Sequence, residues 1–326
     1  MSHRSQTARF WALLILVLIA GAVLLPPSTT PVHPKAPARL AVAPSATPAF
    51  DLLQGRPDAP TGQGFAVNDD GSLREAPTLR IQALDALAKT NLAAAVQVAR
   101  QILLSKRSPD EWAIALAIVA RSDSSDATRQ FLRAKAEEMA QYEPWRQNPS
   151  AGFLEAFDVF VYTRDVDFTP SLAEMVRDKS NPALAHAAFL TLDRLTQSDP
   201  QPTLRTLLDN PTLLEGRPAT EAGYFARADV RDESQRNLLT EYLLAPNRPL
   251  PELEAFAGVF PNENFMISHN LLTPNPAVPS DEVRNRFNAA AQLVAQWQAD
   301  ARFQRLQPQL SKIQSRLSRL LSFAKP

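Results

Sequence analysis

Asn181-Pro182-Ala183-Leu184-Ala185-His186-Ala187-Ala188-Phe189-Leu190 is the stretch whose reading decides the fold. Asparagine suits the position before a helix, because its side chain accepts a hydrogen bond from a free amide of the first turn. Proline suits the first helical position, where its missing N–H would have no partner anyway. Apolar residues then recur at helical spacing. The pair Ala188-Phe189 offers a point of close approach and a knob for a neighbouring helix.

The arrangement repeats along the chain. Pro77, Pro109, Pro149, Pro182, Pro218 and Pro249 each open an apolar-periodic segment, at spacings of 32, 40, 33, 36 and 31 residues. Seven residues after them stand Leu84, Leu116, Phe189, Phe225 and Phe256; after Pro149 the match is Phe157, eight on. The residue just before is Ala83, Ala115, Ala156, Ala188, Tyr224 or Ala255. Ser108, like Asn181, is a good cap. A second helix is expected in each unit, over residues 93–104, 126–141, 170–178, 202–209 and 232–244. Helix, turn, helix at such a period predicts an all-α fold built as a stacked α-solenoid over residues 77–279. The units resemble HEAT or armadillo repeats in length and in the early proline. That resemblance covers roughly residues 77–273. It implies a curved scaffold for protein or peptide binding and carries over no functional residue.

Composition agrees with helices. Apolar residues make up 45% of the 326, enough for a real core, and alanine and leucine, both strong helix formers, dominate. Only nine glycines occur, and Gly55, Gly62, Gly64 and Gly71 fall in one short stretch. A doubly wound α/β enzyme needs more, for tight turns and close approach of backbone to ligand. The formal charge is zero, so there is no global basic field for nucleic acid. With no cysteine, disulfides, thiolate metal sites, a cysteine nucleophile and a lipoprotein anchor are excluded.

Residues 10–25, from Phe10 to Leu25, are apolar without interruption and follow Arg4 and Arg9. As a helix the run measures roughly 24 Å, slightly short of a hydrocarbon core of about 30 Å. It reads as a signal-anchor, with residues 1–9 cytoplasmic and the bulk of the chain periplasmic or extracellular. The alternative is a signal peptide cleaved at Ala20-Gly21-Ala22, which would leave a secreted protein. Residues 26–76 are rich in proline, alanine, serine and threonine and are expected to form a disordered, extended spacer. Within them Phe65-Ala66-Val67 and Asp70-Gly71 allow a short hairpin, although a plain loop is the expectation.

In the C-terminal region, residues 280–326, Ser280 caps a helix whose first turn carries Asp281 and Glu282, where the dipole favours negative charge. Val283, Phe287, Ala290, Val294 and Trp297 form one apolar stripe; Phe303, Leu306, Leu310, Ile313, Leu317 and Leu320 form a second. Pro308 is expected to start or kink a helix. Beyond Asp300 no acidic residue remains, and Arg302, Arg305, Lys312, Arg316 and Arg319 leave a basic tail. Three roles stay open for it: capping the last repeat, self-association with another chain, or contact with an anionic membrane.

No chemistry-bearing motif is present. His3, His33, His186 and His269 stand apart, so no metal site and no cofactor are expected. There is no phosphate loop, dinucleotide fingerprint or nucleophile elbow. Asp165 and Asp167, and Asp123 and Asp126, read as turn and cap residues. The most unusual loop is 260–276, which holds Asn262, Asn264, His269 and Asn270 and ends in Thr-Pro-Asn-Pro. Surface loops rich in donors and acceptors recognise partners, so these four residues are the candidate binding site. The expectation is a non-enzymatic, membrane-tethered scaffold or adaptor binding a protein or peptide. The alternative is an enzyme on a helical scaffold that acts on glycans or hydrolyses a bond with two carboxylates.

Overall fold

The computed structural model describes residues 58–264, 266, 270–275 and 278–323. All of them fall in the larger of the chain's two contact units, Pro44–Pro326. The expected anchor at 10–25, His3, His33, His269 and most of the proline-rich spacer lie outside the described residues. Among the described residues no helix is long and apolar enough to cross a membrane.

The described chain is mostly helical. Its one sheet is a two-stranded antiparallel ribbon, β1 (Ala66–Val67) and β2 (Leu73–Glu75). This corrects two expectations: a hairpin replaces the plain loop, and the end of the 26–76 spacer is ordered from residue 58. The physical reason is burial. Phe65 and Ala76 enter the core, and residues 59–61 run beside 76–79, with Leu79 N–H donating to Ala59 O at 2.9 Å and Thr61 N–H to Pro77 O at 3.0 Å.

The helices are α1 (Leu79–Thr90), α2 (Leu92–Ile102), α3 (Pro109–Ser122), α4 (Asp126–Gln141), α5 (Glu143–Gln147), α6 (Ala151–Glu155), α7 (Asp158–Thr163), α8 (Thr169–Arg177), α9 (Pro182–Ser198), α10 (Pro200–Asp209), α11 (Pro218–Phe225), α12 (Glu233–Leu244), α13 (Leu250–Val259), α14 (Ser280–Ala299) and α15 (Gln307–Phe323). All six recurrent prolines stand at or just before a helix start. Pro109, Pro182 and Pro218 are the first helical residues, Pro249 is the cap, and Pro77 and Pro149 precede the caps Thr78 and Ser150. Thr78, Asn91, Ser108, Ser125, Ser150, Asn181 and Asp232 each accept from an amide of the first turn. Two irregular spacings have local causes. The 40-residue unit carries the extra helix α5, and in the next unit the first helix is interrupted at Ala156 and Phe157, where the large apolar residue falls one place later.

Packing follows sequence order. The opening helices of successive units meet in series: α1 on α3, α3 on α6, α6 and α7 on α9, α9 on α11, and α11 on α13. Of the second helices, α8 packs on α10 and α10 on α12. Of the recurrent large apolar positions, Leu84, Leu116, Phe157, Phe225 and Phe256 are buried, whereas Phe189 is half-buried at the edge of the core. Rings stack onward from Phe225 through Tyr242, Phe256, Phe260 and Trp297 to Phe303, with centroids 3.9 to 6.1 Å apart. One buried ion pair joins α1 to α3: Arg80 Nε lies 2.7 Å from Glu111 Oε1.

The C-terminal helices close this series from within the chain. Helix α15 packs on α13 and α14, and Phe303, Leu306, Leu310, Ile313 and Leu317 are buried. Three of the five basic residues of the tail bind the ends of α12 and α13 or α13 itself, and a fourth, Arg302, pairs locally. Arg305 donates to Ala245 O at 2.6 Å, Arg316 to Phe260 O at 2.6 Å, Lys312 pairs with Glu254 at 3.1 Å and Arg302 with Asp300 at 2.6 Å. Only Arg319 of the five has an exposed position with no such contact described.

Phe157 packs edge-on against Phe153 and Phe160, at centroid distances of 5.5 and 5.6 Å, where α6 meets α7. Replacing it with alanine removes those contacts and leaves a void. The Phe157→Ala chain is expected to lose about 3–5 kcal/mol in urea unfolding; a loss under about 1 kcal/mol would show that the site collapses freely.

Candidate functional site

The unusual loop after α13 is not a simple connector. Its described residues form a strap that contacts α11 at Asn262, the N-terminal hairpin at Asn270, and the opening helices α3, α7 and α9 at residues 271–274. Asn262 begins it. Its N–H donates to Ala226 O at 2.8 Å, its amide to Gly223 O at 3.2 Å, and its carbonyl accepts from Arg227 Nη1 at 2.9 Å. Asn270 lies at the far end, donating to Asn68 O at 3.0 Å across 202 residues of sequence. Of the four candidate residues, Asn262 and Asn270 are therefore structural partners of the strap. Asn264 is exposed beside Asn262, and His269 lies outside the described residues.

Residues 271–275 are held through their main chain. Asp158 Oδ2 accepts the N–H groups of Leu272 and Thr273 at 2.6 and 2.7 Å, and Asp158 Oδ1 accepts the Thr273 hydroxyl. Arg194 Nη2 donates to Thr273 Oγ1 and to Pro274 O, both at 2.9 Å. Arg121 Nη2 donates to Leu271 O at 3.0 Å and to Gly71 O at 2.6 Å, tying strap to hairpin. Leu271 is fully buried.

These holders follow the recurrent prolines. Arg121 and Arg194 stand twelve residues after Pro109 and Pro182; Asp158 and Arg227 stand nine after Pro149 and Pro218. Arg121 and Arg194 lie within their opening helices, Asp158 begins α7 after the break, and Arg227 follows the end of α11. Four consecutive units each send one charged side chain to the strap. The sequence reading missed this set. The available signal was a charged residue nine or twelve places after each of these prolines.

Electrostatics follow from burial. Asp158 is 1% exposed; burial pushes its carboxyl up, and the three hydrogen bonds from the strap and the charge of Arg194 pull it down. Asp193, next to Arg194 on α9, is bidentate with Arg227, at 3.0 Å for both contacts. Burial raises its carboxyl too, against that guanidinium. A polar cavity of about 550 Å³ opens beside the strap, lined by Arg194, Arg227, Asn262, Asn264, Glu263 and Arg286.

A second cavity, of about 830 Å³, lies on the opposite face of α11, with Glu221, Arg248 and Glu252 among its lining residues. Among the described residues no group of three or more histidine, aspartate or glutamate side chains is arranged to hold a metal ion. The other acidic candidates separate. Asp123 accepts from Ser125 and from the Thr128 hydroxyl beside the Ser125 cap of α4, and these bonds hold its carboxyl down at about 2. Asp167 is exposed, whereas Asp165 is fully buried 3.4 Å from Arg133. Compared with known proteins, the chain matches no family model, no curated protein and no solved structure.

Two measurements follow from this geometry. Gly71 has φ +74° and is buried under the strap, and an added Cβ would meet Leu271 O at 2.4 Å and Asn270 O at 2.9 Å. Gly71→Ala is therefore expected to lift the strap from the hairpin, seen as faster hydrogen exchange at Leu272 and Thr273; unchanged exchange would show that the contact is dispensable. Asp165 is raised to about 6 by burial, with Glu137 and Asp167 adding to the rise against Arg133. Its folded-state pKa lies above the ordinary value, so the stability it contributes is present at low pH and lost as pH climbs from about 4 to about 6. Asp165→Asn is expected to be about 1–3 kcal/mol more stable than the parent at pH 7.5, with the gap closing near pH 4. A less stable variant at pH 7.5 would refute that assignment.

Proposed function

We propose that this protein is a membrane-tethered helical-repeat scaffold that binds a short segment of a protein or peptide partner outside the cytoplasm. The observation that carries the reading is the way residues 271–275 are held. Charged side chains from successive units grip a stretch that bends at residues 271–273, largely by its N–H and C=O groups. Main-chain recognition of this kind gives affinity for a peptide segment with little dependence on its sequence. The series of opening helices, packed one on the next, supports an α-solenoid with that face as its working surface. The apolar run at 10–25 and the proline-rich spacer support a tether with reach.

The alternative, an enzyme using two carboxylates, has one observation in its favour: Glu221 and Glu252 line a cavity together. Both bind the same Arg248 nitrogen, at 2.7 and 2.9 Å. A guanidinium thus stands where a scissile bond would have to lie between acid and base. Binding is the better-supported reading.

The strap's own sequence supplies a probe. A labelled, end-blocked peptide of residues 270–275 is added to the chain carrying Leu271→Ala and Thr273→Ala, which loosens the strap. Saturable binding is expected there, weaker binding to the parent whose face is occupied, and none when Asp158→Asn is added. No binding to the loosened chain, shown folded by circular dichroism, would sink the proposal.

A further inference from the structure

Helix α11 closes a cavity on each of its faces. Gly223 and Tyr224 face the strap side; Pro218 and Glu221 face the other. The cavity on that second side measures about 830 Å³ and is walled by Leu208, Leu214, Leu244, Pro218, Pro249 and Pro251. Its volume suits a small ligand or one to two residues of a peptide. Prolines on three sides fix its shape before anything binds.

The polar groups are out of balance. Glu215, Glu221, Glu241 and Glu252 line the cavity, against Arg248 alone. Glu241, at the rim, is taken by Arg205 at 2.8 Å. At the floor Glu221 and Glu252 share one Arg248 nitrogen, and both are about 95% buried. Arg248 cannot swing away to serve either one better: its guanidinium carbon stacks 4.2 Å from the Tyr242 ring. Tyr242 OH donates to Glu252 at 2.7 Å. With both carboxylates ionised, the floor is one positive charge short. It also holds an unmatched donor, because Arg248 Nε is buried with no hydrogen-bond partner.

We infer that this cavity captures the free amino terminus of a peptide that begins with an apolar residue. The α-ammonium group supplies the missing charge beside Glu221 and Glu252, whose shared Arg248 nitrogen contacts only Oε1 of each. The first carbonyl oxygen offers an acceptor to Arg248. The first side chain fills the space between the leucines and prolines. The site is independent of the strap face, so its failure would leave the main proposal standing. Burial and the charge of Glu252 hold the Glu221 carboxyl up at about 7, against Arg248. Glu252, Arg248 and Tyr242 are the groups that face it across the floor, with Glu215 and Glu241 further out. Affinity therefore falls on acidification below about 7, as Glu221 takes a proton, and falls again above about 8, as the peptide amine loses one.

The test titrates Leu-Ala-Ala-amide, its N-acetylated form and Asp-Ala-Ala-amide into the full-length chain, followed by calorimetry. The free leucyl peptide is expected to bind saturably, with the acetylated form about tenfold weaker or more, as befits loss of a charge-assisted contact in a buried site. The aspartyl peptide is expected to be weaker again. Glu221→Gln should reduce the preference for the free amine. Equal binding of free and acetylated peptides, or no saturable binding by the leucyl peptide, overturns the assignment. That comparison needs no variant, so it stands even where Glu221→Gln fails to fold.

Discussion

The carboxylate of Asp158 cannot remain buried on its own, and much of the described structure is arranged around that constraint. A charged group withdrawn from water without partners costs several kcal/mol. Helix α7 places Asp158 in an apolar stretch between Phe157 and Val159, both fully buried. Its partners come from more than a hundred residues away, as two amides and a hydroxyl of the strap. The strap cannot leave without stranding a charge, and Asp158 cannot be satisfied without the strap.

This bond changes what a series of helical units can do. In a pile of repeats each unit touches only its neighbours, and the ends can fray separately. Here a segment that follows the sixth proline unit reaches the hairpin before the first. Arg227 holds its start at Asn262, and beyond the hairpin contact Arg121, Asp158 and Arg194 hold residues 271–274. Glycine at position 71 allows the last approach, since backbone carbonyls of the strap occupy the space a Cβ would need. The ends of the series are thereby coupled. Helix α15 closes the C-terminal side with the arginines that in sequence look free for lipid or a second chain.

Helix α11 shows how one short element serves two surfaces. Towards the strap it presents Gly223, whose carbonyl accepts from Asn262, and it leads into Arg227. Towards the other side it presents Glu221, locked with Arg248 and Glu252. The two faces carry opposite imbalances. The strap-side cavity gathers Arg194, Arg227 and Arg286 against Asp229 and Glu263, while the far cavity gathers four carboxylates against one guanidinium. Ligands of different charge therefore suit the two sides.

The helical class, the helix starts that the six prolines mark and most of the buried apolar positions were legible in the sequence, because proline geometry, capping and apolar spacing act within a few residues of one another. Pro109, Pro182 and Pro218 stand at first helical positions for reasons that need no tertiary context. The strap was legible only as an odd loop, and the candidate asparagines marked its course without naming its grip. Asp158 pairs with Leu272 and Thr273, Arg121 with Leu271, and Glu221 with Arg248. None of these pairs has a local rule linking its members. Such partnerships are decided by which distant groups arrive together when the helices pack, and the cost of leaving a buried charge unpaired then fixes them in place.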